Sequence, residues 1–296
     1  MAEFDIQAVL WFQDIREAAP DFVTDLFEFL SSDYVYLFLP VLILAYVLWF
    51  GDKRIGQAGG LTYSMAIATC YLLKDIIRCP RPWREDPSVH PHGHAGSYAS
   101  PSGHATASVA GFGSSAVYFR GILRLSLIVL PILIMVSRIY LGMHTPSQLL
   151  FGAVLAIAFI AVNNLIVRWA DHSDRNFTLS TMLYLMALFV LVLLAAEHTH
   201  NLHWKFALAA SMGLGMVIGR HADHLYLGYS VPDIRPVMKA VLTVIGLIPL
   251  VPVLMLLPEL FGKTVGYAMA GAFTGVWMFY LFPYVLSRHT GLSGRP

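Results

Sequence analysis

Apolar residues run in long blocks along this chain, separated by short charged stretches, and block length is the first guide to its architecture. Nine segments are apolar over most of their length: 33–50, 59–77, 104–119, 125–143, 148–167, 178–196, 204–219, 239–257 and 264–286. A helix crosses a bilayer with roughly 20 such residues, so the pattern predicts about nine transmembrane helices, some of them short. Gly51-Asp52-Lys53-Arg54, the stretch from Arg120 to Arg124 and that from Arg168 to Arg175 punctuate the blocks. The expected fold is all-α, a polytopic membrane helix bundle forming a single domain over 1–296.

The first 32 residues follow a different pattern. Phe4, Ile6, Val9, Leu10 and Trp11 alternate with Asp5, Asp14, Glu17 and Asp21. That mixture is too interrupted to span, and predicts an amphipathic helix over 1–32 lying on the membrane surface. No cleavable signal sequence opens the chain.

Composition agrees with a bilayer setting. Of the 296 residues 57% are hydrophobic and 12% are Asp, Glu, Lys or Arg, whereas soluble domains carry about 25% charged residues. A net charge of +1, with no basic block carrying interleaved aromatics, gives no reason to expect a nucleic-acid partner. Cys70 and Cys79 do not make a disulfide framework; Cys70 reads as helix packing and Cys79 as a bystander.

Cation placement sets an expected orientation. With nine spans, one face holds Lys53, Arg54, Arg120, Arg124, Arg168, Arg175, Arg220, Arg235, Lys239, Arg288 and Arg295. The other holds Arg16, Lys74, Arg78, Arg81, Arg84, Arg138, Lys205 and Lys263, of which Lys74, Arg81 and Arg138 belong to chemical motifs. Eleven against the remaining five puts the second face outside the cytoplasm and the C-terminus inside it.

Three clusters on that extracytoplasmic face carry chemistry. Lys74-Asp-Ile-Ile-Arg-Cys-Pro-Arg81-Pro82 closes the second span, with Lys74 and Arg81 two helical turns apart. Pro101-Ser102-Gly103-His104 opens the third span, where unpaired backbone N–H groups and the positive dipole end suit an anion. Ser137-Arg138 and, six residues after Arg138, His144 close the fourth. Three cations and two histidines converging from helix ends suit a dianionic, tetrahedral group, a phosphate.

Taken together, Lys-x6-Arg-Pro, Pro-Ser-Gly-His and Ser-Arg-x5-His resemble the three signature motifs of the type-2 phosphatidic acid phosphatase superfamily. This family includes lipid phosphate phosphatases, glucose-6-phosphatase and the vanadium haloperoxidases. The resemblance covers residues 74–148. It implies a six-helix phosphatase core, with 59–167 as the catalytic region and the helices over 178–286 as additions.

The resemblance also implies roles. His144 would attack phosphorus to give a phosphohistidine, and His104 would protonate the leaving oxygen and then activate water. Lys74, Arg81, Ser102, the Gly103 backbone and Arg138 would hold the phosphoryl oxygens, with no metal or other cofactor. Four residues after the nucleophile most members carry Asp; here Gln148 stands there, as in the glucose-6-phosphatase branch. Its amide oxygen can orient the imidazole but brings no charge.

Further histidines have blander readings. His90, His92 and His94 alternate in a loop with Glu85 and Asp86, where zinc lacks a complete ligand set and a solvated lid over the site is the better expectation. Arg81-Pro82-Trp83, Asp86-Pro87 and Gly96-Ser97-Tyr98 resemble a bacterial branch of the family, which implies an inner membrane. His198, His200 and His203 read as interfacial residues, and His221, Asp223 and His224 as a solvated turn.

The expected activity is metal-independent hydrolysis of a lipid phosphate monoester or diphosphate. A phosphatase of small soluble esters is the alternative, suggested by Gln148 and the nine spans. A phosphate-binding transporter without turnover is the rival from another class, disfavoured because the motif block is not repeated. Haloperoxidase activity is disfavoured because those relatives are soluble.

Overall fold

A computed structural model describes residues 3–198 and 202–290, with no side chains for 289 and 290. His200 and the C-terminal Arg295 lie outside the described residues. Every regular element among those described is helical. In chain order the α-helices are α1 (Glu3–Ala18), α2 (Asp21–Leu30), α3 (Leu39–Phe50), α4 (Lys53–Ile77), α5 (Pro82–Glu85), α6 (Gly103–Ser108), α7 (Ser114–Ala116), α8 (Gly121–Tyr140), α9 (Pro146–Ala170), α10 (Asp174–His198), α11 (Trp204–Ala222), α12 (Pro236–Leu247), α13 (Leu250–Phe261), α14 (Lys263–Val276) and α15 (Phe282–Thr290). Wide π-helical turns at Tyr34–Phe38, Val109–Gly113, Asp223–Leu227 and Trp277–Leu281 extend or join several of them.

A helix occupies each of the nine apolar segments, and six stretches among the described residues are long and apolar enough to cross a membrane. These are Asp21–Phe50, Gly121–Tyr140, Pro146–Ala170, Asp174–His198, Pro236–Phe261 and Lys263–Arg288. The protein is an integral membrane protein. The three remaining helical stretches, α4, α6 to α7 and α11, fall below that threshold.

Helix α4 lies at the centre of the bundle, packed by α3, α6, α9, α10 and α11. It begins where the Asp52 carboxylate accepts the N–H groups of Arg54 and Ile55, at 2.8 and 3.1 Å. It ends at Arg78, whose left-handed backbone (φ 51°) turns the chain out of the helix two residues before Pro80. At the opposite end of the bundle, Lys53 pairs with Asp223 at 2.5 Å, Arg54 with Asp171 at 2.7 Å and His224 with Asp174 at 3.1 Å. The turn carrying Asp223 and His224 is therefore ion-paired, tying α4, α9, α10 and α11 together.

The α11–α14 pair packs closest, backbone against backbone. A Cβ at Gly215 would run into the Ala272 carbonyl, and one at Gly275 into the Met212 carbonyl. In lipid, where apolar side chains gain little by leaving the bilayer, such contacts hold helices together by dispersion.

Two helices rather than one occupy the described part of 1–32, broken before Pro20. The second runs into the first candidate span. The first turns Asp5, Val9 and Gln13, four residues apart, inward against the bundle and leaves Phe4 and Trp11 exposed. Two of those three inward side chains are polar, and both are hydrogen-bonded beside the site described below.

Helices α6 and α9 meet so closely that Thr106 Oγ1 donates to the Gly152 carbonyl at 3.2 Å. A Cβ at Gly152 would lie 2.6 Å from the Ser102 carbonyl and 2.9 Å from Thr106 Oγ1. Gly152→Ala should therefore push these two helices apart, lowering stability by about 1–3 kcal/mol and depressing any activity that needs both. Thermal unfolding in detergent checks this, and an unchanged Tm would mean that the contact relaxes freely.

Candidate active site

Three helix ends converge on one cavity of about 550 Å³. Its wall includes Lys74, Arg81, Gly103, His104, Arg138 and His144 from the sequence motifs, with Tyr36, Tyr71, His203 and Lys205 from elsewhere. Ser102 and Gln148 do not line it. Both are buried one layer behind the wall, where they hold the lining residues in place.

Lys74, in the last turn of α4, donates to the carbonyls of Tyr98 and Ala99 at 2.7 and 3.3 Å. Arg81 leaves the helix exit in an extended conformation and spreads its guanidinium over two segments. Its Nε donates to the Ser97 carbonyl at 2.9 Å and its Nη2 to Ser97 Oγ at 3.3 Å. Its Nη1 reaches the Met143 carbonyl and His144 Nε2, each at 3.0 Å. Burial lowers the Arg81 pKa to about 10, which leaves it charged at neutral pH. Arg138, in the last turn of α8, is buried and its Nε has no hydrogen-bond partner.

Ser102 caps α6, its Oγ accepting the Ala105 N–H at 3.5 Å. Its own N–H donates to the Gln148 carbonyl at 3.1 Å, joining the second motif to the third through the main chain. His104 follows in the first turn, with Nε2 at 3.2 Å from the Ser31 carbonyl. A carbonyl only accepts, so Nε2 carries the proton. The His104 ring lies 3.8 Å from that of Tyr36.

His144 is 1% exposed, between α8 and α9. Gln148 forms a capping box with Thr145 at the start of α9. Its Oε1 accepts the Thr145 N–H at 3.1 Å and faces His144 Nδ1 at 3.3 Å. A backbone N–H can only donate, so the Gln148 atom facing it is the oxygen, and Nδ1 must donate to that same oxygen. The proton is thus fixed on Nδ1, and the Nε2 lone pair points at Arg81 and the cavity. Burial first, then the charges of Arg81, Lys74 and Arg138, holds the His144 pKa well below the ordinary histidine value.

Helix α1 reinforces this corner, a role its sequence pattern did not signal. The Asp5 carboxylate accepts the Ser147 N–H at 3.0 Å and the Ser147 hydroxyl at 2.6 Å, in the first turn of α9. Arg16 donates to the carbonyls of Tyr140 and His90, at 3.0 and 2.6 Å, and Gln13 holds the His90 N–H at 2.7 Å. The histidine loop is thereby strapped over the cavity. His92 and His94 line it, and His92 pairs with Glu28 at 2.8 Å.

His203 differs from its expected interfacial role. Its Nδ1 accepts the Lys205 N–H at 3.2 Å, capping α11, and its ring stacks 4.6 Å from Tyr71 on the cavity wall. His198 is exposed. Cys70 is buried and Cys79 half-buried, both as free thiols, the latter receiving a Gln148 N–H at 3.6 Å.

Residues 57–175 match the model of the PAP2 superfamily. The motif-bearing region belongs to this superfamily. No curated protein and no solved structure matches the chain. The PAP2 superfamily includes phosphatases, and the match encloses all three motifs while leaving out α1 to α3, α10 beyond Arg175, and α11 to α15.

The His144–Gln148 contact yields a pH test. A neutral imidazole is the nucleophilic form, so a carboxylate at 148 would raise its pKa and move the acid limb of kcat/KM to higher pH. Gln148→Asp should show that upward shift relative to wild type. Gln148→Ala should lose about 1–3 kcal/mol of transition-state stabilisation with the orienting bond. An alanine variant as fast as wild type at every pH would mean that Gln148 does not orient the ring.

Proposed function

We propose that this protein hydrolyses a lipid phosphate monoester or diphosphate through a phosphohistidine on His144. The observation that carries the lipid reading is a second cavity of about 420 Å³, lined almost wholly by apolar side chains such as Leu37, Val41, Ile67, Leu208, Met212 and Leu250. It shares Tyr36, Tyr71, Gly103, Trp204 and Lys205 with the polar cavity. A substrate with a charged head and an apolar chain fits both at once, and a small polar ester fits only the first. The alternative, a soluble phosphate ester, draws on Gln148 and on the size of the polar cavity.

In this reading the phosphoryl oxygens take the donors of Lys74 and Arg81 that now serve the carbonyls of residues 97–99, together with the unpartnered Arg138 Nε. The Gly103 N–H at the helix start adds a neutral donor. His144 Nε2 attacks phosphorus in line, the N–P bond forms and the P–O bond to the leaving group breaks. His104 enters this step as the imidazolium, gives its Nε2 proton to the leaving oxygen and is left as the neutral imidazole. It then takes a proton from the water that cleaves the N–P bond, releasing phosphate and restoring both histidines. Ser102 acts by fixing Gly103 and His104 rather than by touching phosphate. Positioned charge does most of the work, and no step asks for a metal.

We further propose that α4, α6 to α7 and α11 cross the bilayer with the six apolar stretches. The cation asymmetry supports a site outside the cytoplasm, and the bacterial-branch resemblance supports an inner membrane with the site on its periplasmic side. A reporter fused after Pro296 should behave as cytoplasmic; alkaline phosphatase activity from that fusion in a periplasm would overturn the orientation.

The deciding experiment is phosphate release by purified protein from lipid and soluble phosphates. Turnover is expected with the lipids and should survive EDTA; no release from any of them would overturn the hydrolase reading in favour of binding without turnover. His144→Ala should abolish turnover, by at least about 10³-fold. His104→Ala should be partly rescued by p-nitrophenyl phosphate, whose leaving group needs little protonation. Equal rescue of both variants would sink the role assignment.

A further inference from the structure

Lys205 stands where the polar and apolar cavities meet, and neither the three motifs nor the family match at 57–175 includes it. It begins α11 immediately after the His203 cap. Its Nζ lies 3.4 Å from Tyr36 Oη, 5.8 Å from the centre of the Tyr71 ring and 5.1 Å from that of Trp204. It has no ion pair with a carboxylate among the described residues. Asp33, the one carboxylate on the cavity wall, acts on it only at longer range.

The His104 ring lies 3.8 Å from that of Tyr36, and Tyr36 Oη meets Lys205. Of the four cations on the polar cavity wall, Lys74, Arg81, Arg138 and Lys205, Lys205 is the one that also lines the apolar cavity, and so stands on the tail side. A terminal phosphoryl dianion on His144 already has Lys74, Arg81 and Arg138. If a single ester oxygen joined that group to an apolar chain, Lys205 would face methylenes, and a desolvated ammonium against hydrocarbon is costly.

We propose that Lys205 is a specificity-determining residue that binds a second phosphate on the tail side of the one transferred. The inference rests on the lipid-phosphatase reading and deepens it. Two lipid chemistries carry such a group: a long-chain diphosphate, and a lipid whose terminal phosphomonoester is joined through a short polyol to a phosphodiester. With the diphosphate, the N–P bond to His144 forms at the terminal phosphorus and the bridging P–O bond breaks. The electron pair stays on the bridging oxygen of the departing monophosphate, and Lys205 holds that growing negative charge.

The test uses farnesyl monophosphate, farnesyl diphosphate and phosphatidylglycerol phosphate in detergent micelles, with phosphate release as the readout. Lys205→Met keeps the apolar stem and removes the charge. It should lower kcat/KM for a two-phosphate lipid on the order of tenfold, while the monophosphate changes by no more than about twofold. The two-phosphate lipid that loses more identifies the chemistry, and Lys205→Arg should restore most of the loss. Turnover of p-nitrophenyl phosphate, with one phosphate and no tail, should fall no further than that of the monophosphate and calibrates any effect of the lost charge on the shared site. An equal fall on all substrates, or an unmoved ratio, overturns the assignment while leaving the hydrolase reading standing. Failure of the wild-type protein to release phosphate from any lipid overturns both.

Discussion

Positive charge brought out of water at the ends of helices is the constraint on which the rest of this structure depends. Lys74, Arg81 and Arg138 are 2%, 4% and 7% exposed, yet none has a carboxylate within ion-pair distance among the described residues. Ammonium and guanidinium groups so buried must find acceptors or lose several kcal/mol each. Main-chain carbonyls supply them for Lys74 and Arg81, while Arg138 keeps an Nε without a partner. The chain after α4 folds back as a loop so that residues 97–99 reach Lys74 and Arg81, and the turn before α9 offers the Met143 carbonyl. Neutral carbonyls satisfy hydrogen bonds without cancelling charge, and a site built this way keeps its positive potential for an anion.

The start of α9 shows how fold and chemistry draw on one group. The Gln148 amide oxygen accepts two N–H groups, one that starts the helix and one that fixes the imidazole. The capping contact determines which way the amide points, and that orientation determines the tautomer of His144. Asp5 of α1 braces the same turn through Ser147. A carboxylate at 148 would hold the ring too, but would favour its protonated form.

The parts legible in the sequence were those with strong local signals. The apolar blocks at 125–143, 148–167 and 178–196 became α8, α9 and α10, and the Pro-Ser-Gly-His run opened a helix as expected. The apolar segments at 59–77 and 204–219 became α4 and α11, which fall below the hydropathy of the six candidate spans for a physical reason. A helix surrounded by other helices needs small residues for close approach rather than hydrocarbon for lipid. The glycines, serines and threonines of α4 therefore dilute the hydropathy that marks a span. Residues of the site drawn from outside the motifs were also hidden. Asp5 and Gln13 look like the polar side of a surface helix, and Lys205 like an ordinary flanking cation, until the fold turns them inward. Ser102 shows the converse: the motif marks it, but its side chain caps the helix from behind the cavity wall.

The loop carbonyls on Lys74 and Arg81 have a kinetic consequence. On the proposed phosphatase reading they occupy the donors that an incoming phosphate would need, and so act as a tethered competitor at the mouth of the site. Binding must displace them, and the apparent affinity for any phosphate falls by the fraction of time the donors are taken. The same competition works on the way out. On the proposed phosphohistidine route, inorganic phosphate released by cleavage of the N–P bond would have no tail to anchor it, and the returning carbonyls of residues 97–99 would hasten its departure. A cationic trap that would otherwise be prone to product inhibition thus carries its own means of emptying.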